Sequence, residues 1–445
     1  MPPAPAAHHL LPTAEPGERL ALPLVGRGLR RAGLWANRDW VLFLGGQSVS
    51  IFGSQFTGLA LPLTAVVVLK AGPGQMGILG AAQWLPGLLF GLPVGAWLDR
   101  RRRHPVLVFS NLLSMVALAT VPAAALLHRL SIEQLYSVAF IAGLSSVFFV
   151  VAQNAFLPAL AGRKNLVQAN SHLQTSRTVA QLAGPGLAGA LVQLVTAPVA
   201  IAVDAFSFLV AAVTSALIST VEPVLEVRER GSLAQEIRDG VRVLWSHPLL
   251  RSILLTITIV NFAGNMSQVV VVLLFVGHLH VTPTQLGLSF AAGSASALLG
   301  AQLTRPLAAS RGVGPVMVLG AALLLPVGIT AGFGAAFAPP PLVFPMLVLG
   351  QVIAGFGLMT YNINQQAIRG AIVPNPLLGR ATAGFFFLAA VAQLSGSLIG
   401  GALGSLVGLY WTYGIAVAIN ATSILAALIS PLPRLRELPK PTEER

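Results

Sequence analysis

At 445 residues, with 55% hydrophobic and 9% charged side chains, the chain carries far less charge than the roughly 25% of a water-soluble protein. A mean hydropathy of +0.78 agrees, and the absence of cysteine excludes disulfides, thiolate zinc sites, iron–sulfur ligation and a cysteine nucleophile. The net charge of +13 would suggest a nucleic acid partner in a soluble protein. Here the arginines lie between apolar blocks, which is a membrane-topology pattern, and no nucleic acid is expected.

Residues 1–38 are rich in Pro and Ala, lack a signal-peptide pattern and read as a cytoplasmic tail. Apolar blocks follow at roughly 40–69, 75–98, 105–127, 132–157, 167–195 and 198–221. A polar connector occupies 222–248. Six more blocks run at roughly 250–277, 284–308, 314–337, 341–367, 378–406 and 409–430, and 432–445 form a second tail. At ~20 apolar residues per span, this predicts an all-α membrane protein with twelve transmembrane helices. They form two six-helix bundles, 39–221 and 249–431. With the N-terminus inside, all but three of the 27 Lys and Arg residues fall in cytoplasmic segments. The exceptions are Lys70 and Arg129 in outer loops and Arg177 within the fifth span. The chain is therefore expected to cross the cell's inner (plasma) membrane several times, with both termini cytoplasmic.

The two bundles read as repeats. Val179-Ala-Gln-Leu182 recurs as Val391-Ala-Gln-Leu394 at an offset of 212, and Gly184 and Gly189 match Gly396 and Gly401. Gln75 and Gly77 match Gln285 and Gly287 at an offset of 210. Span 1 carries a polar stripe, Gln47, Ser50, Ser54 and Thr57, and span 7 carries another, Thr258, Asn261, Asn265 and Gln268. Each stripe follows i, i+3, i+7, i+10 and lies on one helix face. Neutral polar groups at that depth line a wet cavity or bond another helix. Cavity lining is the expected role, with Asn362 and Gln365 of span 10 as further candidates.

Arg177 and Asp204 are the charges within spans, on neighbouring antiparallel helices and placed to meet. Intramembrane ionisable residues are functional candidates. The pair reads as a proton-coupling site, with a static ion pair as the alternative. In the connector, Ser232 to Gln235 matches a capping box, and Leu233, Ile237, Val241 and Leu244 form one apolar stripe. This suggests a helix on the inner membrane surface. His278 and His280 make too poor a ligand set for a metal, and neither a metal nor a cofactor is expected.

The loop between spans 2 and 3 reads Gly95-Ala-Trp-Leu-Asp99-Arg100-Arg101-Arg102-Arg103. It resembles the major facilitator signature G-x-x-x-D-R-x-G-R/K, with Arg102 in place of the family's glycine. Gly184-Pro185-Gly186-Leu187-Ala188-Gly189 resembles the antiporter signature G-P-x-x-G-G. Gly240 to Arg251 and Gln168-Ala169-Asn170 are similar to the enterobactin-exporter and macrolide-efflux branch of drug:proton antiporters. The resemblance covers about residues 38–431. It implies a secondary transporter coupled to the proton gradient, in which Gly95, Asp99, Arg100 and Arg103 form a gating loop. It also implies that Asp99 pairs with arginines and with the start of span 11, near Arg380.

The expected function is export of an amphipathic organic compound, such as a drug, macrolide or siderophore-like molecule, by proton antiport. The alternatives are import of a small nutrient or organic anion, and a receptor or scaffold that transports nothing. No HExxH, GxSxG or paired catalytic carboxylates appear, so no enzyme is expected. The expected partners are a small-molecule substrate, protons and the lipid bilayer, with the chain acting as a monomer.

Overall fold

The computed structural model describes residues 33–98, 100–222, 233–325 and 338–439. In chain order the helices are α1 (Arg38–Leu63), α2 (Pro73–Leu98), α3 (Arg103–Leu126), α4 (Ile132–Ala161), α5 (Leu166–Leu194) and α6 (Ala197–Ala216). The connector helix α7 (Leu233–Ser246) follows. Then come α8 (Pro248–Val272), α9 (Pro283–Arg311), α10 (Val313–Ala322), α11 (Pro340–Ile372), α12 (Asn375–Leu406) and α13 (Leu409–Ile429). Among the described residues there is no strand, and nine helices are long and apolar enough to cross a membrane. Together with α2, α5 and the described part of α10, the order fits six helices, a connector helix and six more. The polar run from Gln168 to Arg177 lowers the hydropathy of α5.

Local chemistry sets the helix boundaries. Asn37 Oδ1 accepts from the backbone N–H of Asp39 (3.0 Å) and Trp40 (3.2 Å) at the start of α1. Thr282 and Gln285 cap α9 reciprocally. Gly162 and Gly312 end α4 and α9 with φ of 77° and 97°, a conformation that costs a side chain free energy. The sixth span stops at Ala216, short of the expected 221, because the chain beyond it is tied down. Asp39 accepts hydrogen bonds from the Ser219 backbone and side chain and from the Thr220 hydroxyl. Glu222 accepts from the backbone N–H of Arg103 at 2.9 Å and of His104 at 2.6 Å.

The duplication is visible in the backbone. α1 and α8 both finish in a π-helical turn, at Thr64–Val68 and Leu273–His278. The same hydrogen bonds close both turns: Leu69 N–H to Thr64 O and Ala71 N–H to Ala65 O, then Leu279 N–H to Leu274 O and Val281 N–H to Phe275 O. Lys70 and His280 each take φ of 54°. His280 is thus a turn residue in the position of Lys70.

The halves meet along two seams. α2 packs on α12, where a Cβ on Gly77 would lie 2.8 Å from the Cα of Gly401, and the Ser405 hydroxyl donates to the Gly401 carbonyl at 3.1 Å and accepts from Gly74 N–H at 3.0 Å. α5 packs on α9, where Gly287 faces the Pro185 carbonyl and Gly189 faces the Pro283 carbonyl. The seams are repeats of one another: Gly77 corresponds to Gly287, and Gly189 to Gly401. Both lie toward the end of the molecule that carries Lys70 and His280. There one hydrophobic core runs through both halves and includes Phe56, Leu63, Ile201, Val270 and Phe275. At the arginine-rich end the cores are separate. Trp40, Leu107 and Phe156 belong to the first half, and Leu250, Tyr361 and Phe385 to the second.

The connector helix docks on α12. Gly240 lies against the Arg380 carbonyl, a Cβ on Gly384 would sit 2.9 Å from the Val241 nitrogen, and Leu244 is buried in the second-half core. Ser232 and the Leu233 and Ile237 side chains lie outside the described residues. α12 is wedged between two neighbours, with Gly396 and Gly400 against α8 and Gly401 and Gly404 against α2.

Gly401→Leu leaves no room for the Gly77 backbone and should part the seam. Spin labels at positions 72 and 408, read by double electron–electron resonance, should report a longer distance than in the parent chain.

Candidate functional site

A cavity of about 640 Å³ opens inside the first half and reaches the second. Gln47, Ser50, Ser54 and Thr57 of α1 line it, as expected, together with Asn265 and Gln268 of α8. Arg177 of α5 and Asp204 of α6 line the same cavity. The other two members of the span 7 stripe are absent from its wall. Thr258 donates to the Leu254 carbonyl at 2.7 Å. Asn261 donates to the Ile257 carbonyl at 2.9 Å and accepts from Gln393 Nε2 at 3.1 Å. Asn362 and Gln365 also stand away from the wall, Asn362 half-buried and Gln365 buried.

Arg177 and Asp204 do not pair, contrary to the sequence expectation. Among the described residues the ion pairs are Arg103–Glu222 at 3.5 Å and Arg380–Asp239 at 3.6 Å. Asp204 is 1% exposed. Its Oδ1 accepts from the Ser207 hydroxyl at 2.9 Å, and Ser54 and Thr57 of α1 stand beside it. α1 comes this close because residue 53 is glycine: a Cβ there would lie 2.7 Å from Asp204 Oδ1. Arg177 is exposed to the cavity. The Ser48 and Ser176 hydroxyls meet at 2.8 Å, which brings the start of the Arg177 turn level with Ser48.

The gating-loop residues divide. Asp99 lies outside the described residues. Gly95 lies half-buried in the last turn of α2, and Arg100 is exposed. Arg103 joins Glu222, so this arginine ties α3 to the segment after α6 within the first half. Arg380 pairs with Asp239 of the connector helix. Of the antiporter motif, Gly184 accommodates the Gln55 side chain of α1, while Pro185 and Gly189 form the seam with α9.

Sequence reading missed part of the wall. Gln55, Gln83, Gln181 and the Ser110, Asn111, Ser114 cluster of α3 also line the cavity. Gln181 was signalled by its position four residues after Arg177 on one helix face, and Ser110 and Ser114 by the same spacing. Trp84, Phe149 and Phe208 supply apolar surface. No group of three or more His, Asp or Glu gathers as a metal site among the described residues.

Comparison with known proteins agrees with this geometry. The family model described as Major Facilitator Superfamily matches residues 43–276 and 254–445. The chain is 29% identical to "Multidrug efflux pump Tap" of Mycolicibacterium fortuitum over 81% of its own length and 88% of that protein. It is 24% identical to "Macrolide efflux protein A" of Streptococcus pyogenes, over 56% of this chain and 62% of the relative. Among solved structures, an inward-facing bacterial homologue of the iron transporter ferroportin superposes with a TM-score of 0.71 at 16% identity, covering 88% of this chain and 98% of that one. The nucleoside transporter NupG gives 0.69 at 12% identity, covering 88% and 98%.

Glu222→Gln removes the charge that holds Arg103 and weakens the cap on α3. It should lower stability by about 1–2 kcal/mol, read as an earlier thermal unfolding in detergent, with ligand binding in the cavity unchanged.

Proposed function

Because the chain belongs to the Major Facilitator Superfamily, we propose that this membrane transporter exports an amphipathic organic compound by proton antiport, through alternating access. The observation that carries the reading is Asp204, a buried carboxyl group on the wall of a membrane cavity. The names of the efflux relatives support the direction.

A carboxyl group can take up a proton from one side and release it to the other when its access changes. The Ser207 hydroxyl donates to the carboxyl, and a hydroxyl can donate to a carboxylate or accept from an acid. The two seams serve as the contact about which the halves rock. With both termini and the connector cytoplasmic, as the arginine distribution implies, the end with the shared core is the outer one. The 95–103 loop, Asp99 included, then gates the inner end. The transporter works as a monomer in the cell's inner membrane. A second reading, import of an organic anion, is favoured by one observation: Arg177 is exposed to the cavity and has no carboxylate partner among the described residues.

Two measurements test these statements. Reporter fusions at residues 70, 129 and 280 should read as outside, and those at 103, 163 and 240 as inside; reversal at any two overturns the topology. In inverted vesicles with an imposed pH gradient, the parent chain should concentrate substrate in the direction of export. Asp204→Asn should abolish this uphill flux yet keep counterflow at saturating substrate. If the variant still concentrates substrate, the proton is carried elsewhere; if counterflow at saturating substrate is lost as well, Asp204 holds the structure together instead.

A further inference from the structure

We propose that the cavity recognises zwitterionic organic compounds, with the acid group of the ligand at Arg177 and its ammonium group at Asp204. The inference rests on the cavity being the transport site. Arg177 and Asp204 are the two charged side chains on its wall, and no ion pair joins them. The exposed guanidinium is therefore free to meet a ligand, while the buried carboxyl accepts from the neutral Ser207 hydroxyl and has no cation beside it among the described residues.

Their spacing follows from the packing of α1. Ser48 touches Ser176, next to Arg177, whereas Gly53 touches Asp204. Four to five residues at ~1.5 Å each separate those levels, or roughly 7 Å along the helices. Arg177 thus stands about one turn nearer the arginine-rich end. A fixed charge inside a membrane is costly unless an opposite charge or a dipole meets it. A singly charged ligand compensates one of these groups and leaves the other. A zwitterion long enough to bridge those two levels compensates both, and brings no net charge into the low-dielectric cavity.

Gln181, one turn from Arg177 on the same face, offers an amide to the stretch between them, and Trp84, Phe149 and Phe208 can hold an aromatic body. This arrangement also fits antiport. The ligand's ammonium and a proton compete for the same carboxylate, while the acid end stays on the Arg177 guanidinium.

A matched set of fluorescent probes tests the assignment: norfloxacin as zwitterion, its ethyl ester as cation and its N-acetyl derivative as anion. Binding is read by anisotropy on the full chain in lipid nanodiscs, without a pH gradient. Norfloxacin should bind at least about tenfold more tightly than either derivative, a single charge contact being of that order. Arg177→Gln should bring norfloxacin down to the ester while leaving its lead over the N-acetyl derivative, and Arg177→Lys should keep both. Asp204→Asn should do the reverse, erasing the lead over the N-acetyl derivative. Equal binding of all three probes, no binding by any, or equal weakening of all three in Arg177→Gln overturns the proposal. These readings are of binding alone, without a pH gradient, so the ligand class is decided separately from export by antiport, which uphill flux decides.

Discussion

The architecture depends on two places where backbone meets backbone across the half interface. In lipid there is no hydrophobic force to press helices together, and association relies on close van der Waals packing. Gly77 against Gly401 and Gly189 against Gly287 meet that need, since any side chain at these points would enter the opposing main chain. The contacts are related by the internal duplication, so one mutual surface is used twice. Above them lies the shared core, and away from them the halves keep separate cores. The cavity opens inside the first half and borders the second.

Within that symmetric frame the chemistry is one-sided. The second-half counterparts of Arg177 and Asp204, at the offset of 212, are Ala389 and Ala416. Ser50 and Gln181 face the cavity, but their counterparts Asn261 and Gln393 hydrogen-bond to each other at 3.1 Å. One half therefore carries the polar wall, and the other contributes Asn265, Gln268, Val269 and Ser397 at its margin. At the arginine-rich end each half is fastened by its own carboxylates. Asp39 and Glu222 bind the chain after α6 to α1 and α3, and Asp239 holds the connector helix to Arg380 of α12.

Much of this was legible before any coordinates. Helix order follows from hydropathy, because a span must be apolar over its length. The seam glycines were visible as repeated small residues with near-constant offsets. Position within a span was legible too, which is why Arg177 and Asp204 read as placed to meet. Depth along an axis does not give the direction a side chain faces. Asp204 lies against Gly53 and bonds Ser207 of its own helix, so the expected pairing fails. The symmetry argument fails at Thr258 and Asn261 for a related reason: identical spacing gives the same face, but whether that face meets water or a glutamine depends on the neighbouring helix. The early end of α6 was hidden because it depends on bonds to Asp39 and Arg103, far away in sequence.

The hydrogen bond between Asn261 and Gln393 bears on how such a transporter changes over generations. A duplicated protein starts with two equivalent walls, and substitution in either alters what it accepts. Once one wall has bonded its polar groups to itself, its residues answer to packing alone. Variation in ligand choice then falls mainly on the first half, where Gln55, Gln181 and the α3 serines line the cavity. The second half becomes a chassis inherited with little change, and new specificities arise by editing half a gene.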